Sequence, residues 1–178
     1  MNTAKEIKIN YHTKAAYELA NSIPCPRSAN DVYSIGVSMQ YCIRAKYIEL
    51  DNLQRSDDKT YLEGQAAKQL AIKSEIEKLA KFNLNYVLKE FYDHGGPIME
   101  DPVSEQMVKE IQPFFNRIMS NFLQSLDAIV HQTDLGKLSV EEMVTDVNRK
   151  ICEMYNSLGS MFQIVEIKGA FSDLIEIR

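Results

Sequence analysis

Apolar residues recur along most of this chain at intervals of three and four, the period of a helix with one face turned to a core. Val32, Ile35, Met39, Cys42, Ile43, Tyr47, Leu50 and Leu53 follow that rhythm after Ser28, whose spacing to Asp31 resembles an N-terminal cap, and the pattern predicts a long helix to about Gln54. A polar break, RSDDK, precedes a second stripe of Leu62, Ala66, Leu70, Ile76, Leu79, Leu84, Val87, Leu88 and Phe91. Thr60 and Glu63 stand at capping-box spacing at its start. A third stripe runs from Met107 through Phe115, Met119, Phe122 and Ile129 to a stop at Gly136, with a kink or a fresh start expected at Gln112 and Pro113. The fourth begins at the clearest signal in the chain: Ser139 as cap, Glu142 as its partner and Leu138 with Met143 as a hydrophobic staple, leading to Gly159.

Both ends read differently. Glu6–Ile9 suggests a short strand and Tyr11–Asn21 a short helix, closed by Pro24 and Pro26. The tail from residue 160 carries β-branched runs on either side of Gly169, which favour a small C-terminal β-hairpin over a helix. The expectation is therefore one all-α domain over residues 1–178. It comprises an N-terminal arm and short helix (1–27), an antiparallel, up-down-up-down four-helix bundle (28–159) and a C-terminal tail (160–178).

Length and composition agree with a single globular domain: 178 residues, 45% hydrophobic and 25% charged. A net charge of −5 makes nucleic acid an unfavourable partner, since phosphate binding needs clustered, unopposed Lys and Arg. No segment has the run of apolar residues needed to span a membrane, and the N-terminus has no signal-like apolar region. The three cysteines, Cys25, Cys42 and Cys152, are widely spaced and unpaired in pattern, which points to a reducing, cytoplasmic setting without disulfides.

The densest chemical knot is FYDHGGPIMEDPVS, Phe91–Ser104. It reads as a connector: His94 at a helix C-terminus, Gly95 and Gly96 as terminators, Pro97 outside the helix, and Asp101 or Ser104 capping the next one. Glu90 with His94, and Asp127 with His131, are each spaced as helical metal ligands, but the two histidines end successive long helices about 40 Å apart. No metal and no other cofactor is expected. Cys25, between two prolines, is the one conceivable nucleophile, with His12, His94 or His131 as base, and no catalytic signature surrounds it.

Enzymatic constellations thus each lack a second component, and the chain is read as non-enzymatic. The function expected is protein–protein interaction: an adaptor, assembly factor, chaperone or inhibitor presenting helix faces to a protein partner, with homo-oligomerisation. Tyr33, Tyr41, Arg44 and Tyr47 on the first long helix, with Phe114 and Phe115 on the third, are the residues assigned to partner binding, being of the types enriched at interface hot spots. The alternative is a nucleic-acid-associated regulator using Lys68, Lys73, Lys81 and Lys89. A metal- or cysteine-dependent enzyme ranks third.

Overall fold

The computed structural model describes Glu18 and residues 20–53, 59–94 and 102–178. The N-terminal strand expected at Glu6–Ile9, most of the short helix after it, and the Gly95–Gly96 connector lie outside the described residues. Five long helices follow: α1 (Ala29–Leu53), α2 (Lys59–His94), α3 (Glu105–Asp134), α4 (Val140–Ser160) and α5 (Val165–Glu176). No strand occurs among the described residues, and no described helix is long and apolar enough to cross a membrane.

The ends of the helices follow the local chemistry closely. Asp31 N–H donates to Ser28 Oγ at 3.3 Å while Arg27 N–H donates to Asp31 Oδ2 at 2.9 Å, so the start of α1 is closed reciprocally. Ser104 caps α3 by accepting from Met107 N–H at 3.2 Å. Ser139 and Glu142 form a complete capping box at α4 (3.1 and 2.8 Å). Gly136, at φ 76°, adopts the left-handed conformation after α3 that a side chain would strain.

One expectation is corrected, and of the two alternatives at Pro113 one is ruled out. The C-terminal β-hairpin is replaced by α5, because Ile167, Ala170, Phe171 and Leu174 fall at helical spacing and are all buried. Packing of Phe171 against Phe162 and Tyr155, each at 6.3 Å between ring centroids, outweighs the β-branched preference of the flanking residues. Pro113 does not start a new helix; α3 passes through it, nine positions inside. Gln112, beside it, accepts from Cys25 N–H at 2.9 Å and so ties the segment before α1 to α3.

Partners across the interfaces give the directions. Asn30 meets Asn83 (3.1 Å) and Tyr41 meets Lys73, so α1 and α2 run antiparallel. Ile118, Phe122 and Ser125 share a depression with Lys150, Met154 and Ser157, so α3 packs alongside α4. Next, α5 runs antiparallel to α4, with Gly159 against Phe171, and parallel to α1, with Tyr33 against Asp173 (2.7 Å) and Gly36 under Leu174. A Cβ at Gly36 would lie 2.6 Å from Leu174 Cδ2, so this glycine is what lets α5 approach α1. The core sits where these helices converge, around Met39, Ile43, Tyr47, Phe115, Met119, Ile151, Tyr155 and Phe171.

Candidate functional site

Tyr41, Arg44 and Ile48 occupy positions i, i+3 and i+7 of α1 and therefore share one face, while Glu63, Ala67 and Leu70 do the same on α2. Because the two helices are antiparallel, the faces meet as the walls of a groove of about 360 Å³, floored by Leu62, Ala66 and Tyr47. The alanines keep the α2 wall low. Ile48 and Leu70 remain 37% exposed and Tyr41 46%, an unusual concentration of large apolar side chains at a helix–helix seam. Charges rim it: Arg44 on one side, Asp51 and Glu63 toward the other end.

Tyr41 is held in place. Lys73 Nζ stands 5.5 Å from its ring centroid and also pairs with Glu77 at 3.0 Å, so the aromatic is steadied by a cation that is itself anchored. The same pair puts a carboxylate beside Lys73, and Glu75 lies 2.7 Å from Lys78. Each of these lysines on α2 thus has a carboxylate beside it.

Of the six residues assigned to partner binding, Arg44 lines the groove, and Tyr41, 46% exposed, stands about one helical turn before it on α1, outside the lining. Tyr47, fully buried, forms part of its floor. Tyr33 is 6% exposed and donates its hydroxyl to Asp173 Oδ2, anchoring α5. Phe115 is enclosed in the core, whereas its neighbour Phe114 is 57% exposed with the Arg117 guanidinium 6.0 Å away, on α3. The α2 half of the groove was not anticipated from the sequence. By spacing alone Leu70 falls on the same apolar stripe as the buried Leu62 and Ile76.

The other chemical candidates are occupied elsewhere. Cys25 is 3% exposed, its Sγ lies 3.9 Å from the Pro26 carbonyl, and burial pushes the thiol up to about 11, far from a nucleophilic thiolate. His131 lies 19 positions beyond Gln112, the residue bound to Cys25, or about 28 Å along α3. Asp127 is buried and forms an ion pair with Lys46 of α1, which also pairs with Glu49 at 3.4 Å. Among the described residues no group of three or more His, Cys, Asp or Glu is placed to hold a metal ion.

Comparison with known proteins adds no relative: no family model, no curated protein and no solved structure matches the chain.

Proposed function

We propose that this chain is a non-enzymatic interaction module, an up-down-up-down bundle of α1–α4 reinforced by α5, whose working surface is the α1–α2 groove. The observation that carries the reading is the pair of exposed apolar side chains Ile48 and Leu70 in a low, alanine-lined channel, with the exposed Tyr41 farther along α1. A channel between two antiparallel helices suits a third helix laid along it, with apolar anchors at i, i+3 or i+4, and i+7. The rim specifies its charges. Asp51 and Glu63 call for a basic residue at one end of the partner helix, and Arg44 for an acidic one toward the other.

The test places a photo-crosslinking amino acid at Ile48 and, in a second protein, at Glu141, an exposed site on α4. Specific crosslinking to one partner from position 48 and none from 141, abolished by Leu70→Asp, supports the groove. Equal crosslinking from both positions, or capture from 48 that survives Leu70→Asp, refutes it.

A further inference from the structure

The α1–α2 groove specifies its occupant: a helix with apolar anchors at i, i+3 or i+4, and i+7, an acid facing Arg44 and a base facing Asp51 two turns along. Among the described residues, α3 has such a face. Met107, Ile111, Phe114 and Ile118 stand at i, i+4, i+7 and i+11 and form one stripe. Phe114 is 57% exposed, its three companions are only partly buried, and Ile118 lines the open depression beside α4.

Charge sets the direction. Glu110 and Arg117, both exposed, lie along one edge of this stripe, seven residues or about 10 Å apart. Arg44 and Asp51 are also seven residues apart, on the α1 wall of the groove, with the signs in the opposite order. A stripe laid parallel to α1 therefore sets Glu110 beside Arg44 and Arg117 beside Asp51 together, whereas the reverse direction opposes like charges. None of these four residues belongs to an ion pair among the described residues.

Shape agrees with charge in the same register. Phe114, four residues after Glu110, comes level with Ile48, four residues after Arg44. The pairs Asn30–Asn83 and Tyr41–Lys73, continued along the two helices, put Ile48 level with Ala66 on α2. The exposed ring thus arrives where Ala66 and Ala67 make the wall lowest. Within one copy the two surfaces cannot meet, because α3 joins α1 through Asp127 and Lys46, and Lys46 points away from the side that carries Arg44 and Ile48.

We infer that the occupant of the groove is a second copy of this chain, which inserts the Met107–Ile118 face of its α3 with Phe114 as the anchor. This rests on the groove being a helix-binding surface. Groove and stripe are different surfaces, so the contact is head-to-tail, and every open assembly keeps a free groove at one end and a free stripe at the other.

The experiment is sedimentation of the purified full chain over a range of concentrations, beside variants at exposed positions. The parent grows in mass with concentration, and Phe114→Asp and Leu70→Asp are each monomeric. Mixed in equal amounts, these two variants form a heterodimer and stop there, since one retains the groove and the other the stripe. Arg44→Glu and Glu110→Arg each weaken association about tenfold, and the two changes in one chain restore it. A parent that is monomeric up to about 1 mM, a mixture no heavier than its components, or charge reversals that do not compensate overturns the inference. A photo-crosslinker at Ile48 separates this failure from failure of the groove itself. Crosslinks to the Phe114 segment of a second copy support the inference. Leu70-dependent crosslinks to a different protein overturn it and leave the groove standing, and the absence of any Leu70-dependent crosslink overturns both.

Discussion

Helices α2 and α4 carry similar alternations of apolar and polar residues, yet they live in different surroundings. Over its 21 residues α4 buries Val140, Met143, Val144, Val147, Ile151, Met154, Tyr155, Leu158 and Gly159, because α3 covers one side of it and α5 another. By contrast α2, at 36 residues and about 54 Å, packs chiefly on α1 and buries only Leu62, Ala66, Gln69, Ile72 and Ile76 among its described side chains. Leu70, Phe82 and Leu84 stay exposed. The difference teaches that an apolar stripe measures how much a helix could bury, while the number of neighbours decides how much it does.

That contrast breaks most sharply at two phenylalanines. Phe171→Ala removes a ring packed between Tyr155 and Phe162 and should destabilise the protein by about 4 kcal/mol. Phe82→Ser, at a site 74% exposed, should change stability by no more than about 0.5 kcal/mol. Chemical denaturation of the two variants beside the parent measures both, and comparable losses would mean that α2 is as enclosed as α4.

The seam between α1 and α3 comes next. Asp127→Asn leaves Lys46 in a largely buried site with its principal counter-charge gone, at a cost of about 3 kcal/mol. The double variant Lys46→Met with Asp127→Leu should recover much of that loss, since the penalty belongs to the unpaired charge. Unfolding midpoints of single and double variants check this by a thermodynamic cycle.

A smaller effect is expected at the edge of α4. Ser139→Ala opens the capping box and should cost about 1 kcal/mol, read as a shift in melting temperature. The cap and Gly136 were both legible in the sequence, because each depends on residues within a few positions of one another. The tail was not, since a run as short as Ile164–Ile177 satisfies strand and helix patterns alike until Phe162 and Tyr155 are known to flank it. Nor was the division of the aromatic candidates. Tyr33 and Tyr41, eight apart, share a helix face by spacing, but α5 covers Tyr33 through Asp173 while Tyr41 stays 46% exposed beside Lys73 of α2. The hydrogen bonds that Arg178 donates to Gln40, Gln69 and Asn148 were invisible for the same reason: the four residues come from four separate segments and carry no spacing signature. Of the α1–α2 groove, Arg44 and the floor residue Tyr47 were readable, and the α2 wall required knowing which side of that helix α1 leaves bare.

The least effect at neutral pH concerns Cys25. Its thiol, raised by burial from an ordinary 9.0 to about 11, stays protonated in the folded state while the unfolded thiol ionises. A folded-state pKa above the unfolded one for an acid means that unfolding releases a proton between pH 9 and 11, so stability falls as pH rises through that window and is unaffected below it. The raised hydroxyls of Tyr33, Tyr47 and Tyr155 act in the same direction at higher pH. Denaturation midpoints of Cys25→Ser against the parent from pH 7 to 11 isolate the thiol, and a parent midpoint that rises above pH 9 would contradict its burial.

The central claim is that α2 offers a free face and α4 does not, and native-state hydrogen exchange with peptide-level mass spectrometry tests it most directly. Amides of α4 from Met143 to Leu158 should exchange only through global unfolding, while those of α2 from Leu70 to Leu84 should exchange through local opening, about a hundredfold faster or more. Equal protection in the two segments would mean that α2 is enclosed on all sides, and the groove would no longer be available to a partner.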